Sequence, residues 1–338
     1  MRAMVLGLSG LLGAAAIAAA SYGIRQQYVL GGPGGWDYLT LEPAAQRLFI
    51  ARGDRVLVVS TADGSLLGTI PHTDGVHGIA LAPDLGKGFI SDGRADSVTV
   101  FDLKSLDTIS TFAVSGHNPD AILYDTASRH LFTFNGRSQD ITMLDPLSGA
   151  TLATIAAGGK PEFAQADGNG HVFFNIENTA QLGELDAVTG RRIATWQLPG
   201  CEEPTGLAFD ATHQRLFSTC GNGALVVTDA ATGRHVATAP IGQGPDAAAF
   251  DARRGLVFTS NGQDGTLSVI HEDDADHYSV VATVPTQKSA RTLALDPMTH
   301  RIYTVAAEFD PATAATAAEP HPRPVVREGS FRVLVLGE

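Results

Sequence analysis

Residues 118–125 read NPDAILYD and residues 244–251 read GPDAAAFD. In both, a Pro-Asp pair leads into four apolar residues that end on a second aspartate. The two copies stand 126 residues apart, which raises the question of a repeat. Working outward from them, seven segments align: WDYLTLEP (36–43), VHGIALAP (76–83), PDAILYDT (119–126), PEFAQADG (161–168), PTGLAFDA (204–211), PDAAAFDA (245–252) and ARTLALDP (290–297). Counted from the second residue of each, the spacings are 40, 43, 42, 43, 41 and 45.

Each unit continues alike. An aromatic strand follows: RLFIAR (47–52), KGFISD (87–92), HLFTFN (130–135), HVFFNI (171–176), RLFSTC (215–220), LVFTSN (256–261) and RIYTVA (301–306). A third strand comes after a turn, as in SVTVFD (97–102), DITMLD (140–145) and ALVVTD (224–229). A fourth closes the unit, as in GTI (68–70), ATI (153–155) and ATW (194–196). The alternation is of β type and no helical period competes with it. Four strands per unit, repeated seven times, predict an all-β chain folded as a seven-bladed β-propeller. The blades fall near 36–70, 76–112, 119–155, 161–196, 204–239, 245–284 and 290–336. First strands lie nearest the axis, where space is tight. The sequence places small residues there, such as Gly78, Ala121, Ala164, Gly206 and Ala247. The seventh unit has no fourth strand of its own. Residues 26–30 (QQYVL) stand where other units place one, so an N-terminal strand is expected to close the last blade and remove exposed edges.

Composition sets outer limits. With 44% hydrophobic and 17% charged residues, the chain can bury a large core as one domain over 21–338. Its net charge is -13 and it has no basic run, so no nucleic acid partner is expected. Arg2, the apolar stretch Val5–Ala20 and the Ala18-Ala19-Ala20 site read as a signal peptide over 1–20, the alternative being an uncleaved anchor. Either way the body is exported, to the periplasm or outside, with no other membrane segment and as a monomer. Cys201, in the turn entering blade 5, and Cys220, ending that blade's second strand, then fit a disulfide. A shared metal or two free thiols are the alternatives.

The second strands FISD, FTFN, FSTC and FTSN are variants of a Tyr-Val-Thr-Asn signature. Over essentially the whole chain after the first twenty residues, the sequence resembles the exported YncE-like, YVTN-repeat β-propeller proteins. The resemblance implies the fold and leaves activity open. Members are similar to surface-layer propellers and to propellers encoded near quinoprotein systems. It also implies single-stranded DNA binding as a family possibility, for which this chain lacks a basic aromatic groove.

In a propeller, the fourth-to-first and second-to-third strand connections share the top face. The second residue of each aligned segment therefore stands at the mouth of the central channel. Read around the ring, these are Asp37, His77, Asp120, Glu162, Thr205, Asp246 and Arg291. All are polar among apolar neighbours, which is the strongest site signal in the chain. Arg291 falls between Asp246 and Asp37 in a closed ring and is expected to neutralise both. His77, Asp120 and Glu162 follow one another with no basic residue at their level. One imidazole and two carboxylates can hold one divalent metal ion with a position left open. They can also act as general acid and base. A solvated rim of water-bridged groups is the plain alternative.

A surrounding shell is expected. Arg52, Arg94 and Arg137 leave the second-to-third turns of blades 1 to 3 and could clamp a ligand carboxylate. Trp36 is either a stacking wall or a wedge between blades. The insertion 307–330, with prolines at 311, 320, 322 and 324, could fold over the mouth and bring His321 to the metal ligands. The acidic run HEDDADH (271–277) falls on the opposite face and reads as a solvated turn. Gly-rich phosphate loops, G-x-S-x-G and HExxH are absent from the sequence. The leading expectation is thus an accessory protein that binds a small molecule or a metal ion at the mouth. The rivals are a metal-dependent hydrolase or lactonase-like enzyme at the same place, and a scaffold for a periplasmic protein.

Overall fold

The second strands carry the frame of the molecule. Phe49, Phe89, Phe132, Phe173, Phe217, Phe258 and Tyr303 hold the same place in each, and none exceeds 2% exposure. The computed structural model describes residues 22–311 and 324–338; the signal segment and His321 lie outside the described residues. The described chain forms seven four-stranded antiparallel sheets and one two-stranded hairpin. The inner strands are Leu39–Glu42, Val76–Ala82, Pro119–Asp125, Pro161–Ala166, Pro204–Asp210, Pro245–Asp251 and Leu293–Asp296. In blades 1 to 6 each sheet is built from four consecutive strands, so every connection within a blade is a short turn. Among the described residues no helix is long and apolar enough to cross a membrane.

The seventh blade is closed by the N-terminal strand. Gly23–Val29 pairs antiparallel with Arg332–Gly337, which pairs with Arg301–Ala306, which pairs with Leu293–Asp296. The strand starts three residues before the expected 26–30, because Ile24 also packs on the core shared by blades 6 and 7. It ends at Val29, where Leu30 and Gly31 both donate to the Phe331 carbonyl. Near the axis the crowding is tight: a Cβ at Gly206 would lie 2.6 Å from the Cα of Ala247 in the next blade.

The acid ending the inner strands is architectural. Asp125, Asp167, Asp210, Asp251 and Asp296 each accept backbone N–H groups of the following turn, from Ser128, Asn169, His213, Arg253 and Met298 among others. Glu42 instead pairs with Arg47.

Cys201 and Cys220 form a disulfide across 19 positions, both buried. Closing a loop of that size stabilises by about 3 kcal/mol through the unfolded chain. The double variant Cys201→Ala/Cys220→Ala should lower stability by that amount in urea unfolding. An unchanged midpoint would show that blade 5 holds without its staple.

Candidate functional site

The ring residues reach the mouth because the inner strands bulge at them. In blade 2 the register jumps between Val76–Asp92 and Ile79–Ile90, and His77 stands in the gap. The same break occurs at Asp120, Glu162, Thr205 and Asp246. A bulge frees one residue from the ladder and re-aims its side chain. The freed backbone is satisfied from the second strand: Ser91 Oγ accepts the Gly78 N–H at 2.8 Å and donates to the Asp120 carbonyl at 2.5 Å. Thr219 and Asn175 serve Gly206 likewise. In blades 1 and 7 the strands begin at Leu39 and Leu293, so Asp37 and Arg291 precede them. Two glycines leave room for the ring. A Cβ at Gly93 would meet the His77 ring at 2.5 Å, and one at Gly262 the Arg291 side chain at 2.6 Å.

The ring is a circuit of paired charges. His77 Nδ1 lies 2.6 Å from Asp37 Oδ2 and 3.7 Å from Asp120 Oδ1. Arg291 lies 3.7 Å from Asp37 and 3.4 Å from Asp246, and donates to the Trp36 carbonyl. The expected neutralisation of Asp37 and Asp246 by Arg291 therefore has matching geometry, but the nearest cation to Asp37 is His77. The expected trio of His77, Asp120 and Glu162 is not what the structure gathers. Glu162 is drawn aside by Lys160, 2.7 Å away, which also bonds Glu177. Lys160 lies in the turn two residues before Glu162, where ring-position reading did not look for a cation. Asp37, His77 and Asp120 instead bring ligand atoms within 4.8 Å of one another.

Burial works against the charge on His77, but the Asp37 hydrogen bond and the Asp120, Asp37 and Glu162 charges outweigh it and raise the pKa to about 9. Burial pushes the Asp120, Glu162 and Asp246 carboxyls upward, opposed by His77, Lys160 and Arg291 respectively. Because the folded pKa of His77 is raised from 6.5, its contribution is fully present below 6.5 and is lost as pH rises through about 9. Stability should fall between those values by up to about 3 kcal/mol. Thermal melts across that range should show the slope in the wild type and its loss in His77→Gln.

Next to the ring positions, an aromatic pair crosses the channel. Tyr38 of blade 1 stacks on Phe163 of blade 4 with ring centroids 5.2 Å apart. These blades are not neighbours, so the contact crosses the axis. Burial and the Asp120, Glu162 and Asp37 charges hold the Tyr38 phenol well above its usual pKa, leaving it a neutral donor. Above this pair lie two bays. One, of about 410 Å³, is lined by Asp37, His77, Arg94, Arg137 and Arg291 with Trp36. The other, of about 520 Å³, is lined by Glu177, Glu203, Thr205 and Asp246, with Arg291 at its edge.

The shell differs in part from expectation. Arg94 and Arg137 border the mouth, but Arg52 is fully buried and donates to the carbonyls of Gly32, Gly34 and Gly35. It holds the loop that carries Trp36. That indole is 9% exposed, lies between Phe309 and Phe331, and its N–H has no partner among the described residues. It is thus both wedge and wall. Phe309–Asp310 pairs with Val325–Val326, so the base of the long insertion is a hairpin bordering the mouth beside Trp36 and Arg291.

On the opposite face sequence reasoning missed a second cluster. Asp210, His213 and Glu272 bring their ligand atoms together, with His213 Nδ1 2.7 Å from Asp210 and 3.3 Å from Glu272. Glu272 belongs to the HEDDADH run, but its buried carboxylate points to blade 5 rather than to solvent. The pairing across blades could not be read from spacing.

The fold and the site define a class: a seven-bladed β-propeller with a charged mouth. No family model and no curated protein matches the chain. Among solved structures it is similar to the RRP9 WD40 repeats, with a TM-score of 0.76 at 10% identity over 95% of this chain and 98% of that one. A chain of the Mitotic Checkpoint Complex gives 0.77 at 14% identity over 100% and 99%. A chain of hydrazine synthase from Kuenenia stuttgartiensis gives 0.70 at 15% identity over 80% and 92%. At these identities the likeness shows the fold alone.

Proposed function

We propose that this chain is an exported binding protein of the YVTN-repeat kind that captures a small charged molecule in the cup at its channel mouth. One observation carries the reading. Five of the seven ring positions, Asp37, His77, Thr205, Asp246 and Arg291, line the bays of a cup crossed below by an aromatic pair, and its wall gathers His77, Arg94, Arg137 and Arg291 on one side. A shaped concavity with few, convergent polar groups is the usual form of a ligand site. The disulfide supports an oxidising compartment.

A second reading, a divalent metal site, is favoured by the closeness of Asp37, His77 and Asp120. Metal ligation there requires the Nδ1 proton of His77 to leave, which its raised pKa opposes at neutral pH. The hydrolase reading depends on that metal. Calorimetric titration with Zn²⁺, Mn²⁺ and Ca²⁺ at neutral pH separates the two. The small-molecule reading expects no stoichiometric binding to the mouth. Tight one-to-one binding that His77→Gln abolishes would establish the metal reading in its place.

A further inference from the structure

The charges of the mouth do not all cancel. Asp37, His77, Asp120, Asp246 and Arg291 pair within the ring, Lys160 takes Glu162 and Glu177, and Arg94 takes Asp74. The ring keeps three carboxylates against two cations, and Lys160 serves two glutamates, but each of these groups has an ion-pair partner; among the charged residues lining the two bays, only Arg137 and Glu203 have none. Neither side chain makes an ion pair or a hydrogen bond among the described residues and both are exposed, Arg137 feeling only the nearby charge of Asp96, which already pairs with His117. They carry opposite signs and stand in different bays. Arg137 leaves the second-to-third turn of blade 3 and lines the cationic bay. Glu203 leaves the turn entering blade 5 and lines the acidic one. Blade 4 separates them, and Arg291 borders both bays. A third group in the same wall has no partner among the described residues: the buried indole N–H of Trp36.

We infer that the mouth takes a linear zwitterion with its opposite charges at its two ends, a short peptide with free termini being the simplest kind. The carboxylate end meets Arg137, whose planar fork suits a carboxylate. The ammonium end meets Glu203. An α-amino acid holds its two charges too close together to reach both across a whole blade. A dianion or a dication satisfies one end and sets a like charge against the other, so the same two residues select against both. Between the ends, amide groups of the ligand pass over Thr205 and Asn118, neutral members of the bay walls. This inference rests on the reading of the mouth as a ligand site.

The test uses alanine peptides from dipeptide to hexapeptide, with the full mature chain, followed by calorimetry and by tryptophan fluorescence. The chain has 2 tryptophans, and Trp196 lies on the outer strand of blade 4, so a mouth ligand acts on Trp36. At least one length should bind saturably. N-acetylation or C-amidation of that peptide should each weaken it tenfold or more. Arg137→Gln should abolish the discrimination against the amide, and Glu203→Gln that against the acetyl form. Both side chains are exposed, so neither variant should shift the melting midpoint. Equal binding of free and blocked peptides, or binding by no length, overturns the inference. If blocking the amine is harmless while the carboxylate is still required, the zwitterion fails but the mouth remains an anion site. If peptides, succinate and putrescine all fail to bind, the ligand site fails with it.

Discussion

A chain lacking Gly23–Val29 should show no cooperative melting transition. This strand supplies the outer ladder of blade 7, with partners from Gly23–Gly337 to Val29–Arg332. Without it Arg332–Gly337 becomes a bare edge, the feature that propeller closure exists to remove. The strand also rivets blade 7 to blade 1. The Tyr28 hydroxyl donates to the Thr61 carbonyl at 3.2 Å, and its ring fills the space over Gly64, where a Cβ would lie 2.1 Å from it. Ile24 packs on the core of blades 6 and 7. The combined loss is about 5 kcal/mol or more, comparable with the whole stability of many domains. Differential scanning calorimetry and size-exclusion chromatography check this, with soluble aggregates expected from edge pairing. A truncated chain melting within about 3 °C of the full one would show that the ring needs no closure.

The Arg52→Met variant should lose about 3–5 kcal/mol and should also disturb the mouth. The guanidinium is fully buried, lies 3.8 Å from the Phe331 ring centroid and donates to three glycine carbonyls. Burial, followed by the nearby Arg55 charge, lowers its pKa to about 10, so it stays charged at neutral pH. Methionine fills the volume but leaves the Gly32, Gly34 and Gly35 carbonyls without that donor. This loop delivers Trp36 and Asp37 to the site. The variant should therefore shift the Trp36 emission as well as the melting point. Wild-type stability in this variant would mean that the loop is held by its packing on Phe331 alone.

Much of the architecture was legible because the repeat writes it seven times. The second strands fall at the expected positions, and the N-terminal closure follows from counting strands in the last unit. The ring of mouth residues was legible for the same reason, since a polar residue recurs at one place in an apolar strand. The partners within that ring were not. Spacing gives each residue its blade but not the reach of its side chain. Lys160 lies off the ring position, so its capture of Glu162 left no periodic trace. Asp37 was assigned to Arg291, yet the imidazole of the next blade comes closer. Arg52 occupies the same turn position as Asp92 and Asn135 and is buried like them, but where those bond within their own blades its longer side chain reaches the carbonyls of the Gly31–Gly35 loop. The strand bulges that aim the ring are equally silent in sequence, apart from the Ser, Thr and Asn that fill them.

His77 is the second cation of the ring beside Arg291, and its charge holds Asp37 and Asp120 in ion pairs, so that Arg137 and Glu203 are the bay charges without one. The most direct test is a proton NMR titration of the His77 imidazole in the intact protein, assigned by comparison with His77→Gln. The account predicts a midpoint near 9 that drops toward 6.5 in Asp37→Asn. A wild-type midpoint at or below 6.5 would contradict it, leaving a neutral imidazole beside two carboxylates and a mouth built for a metal ion instead.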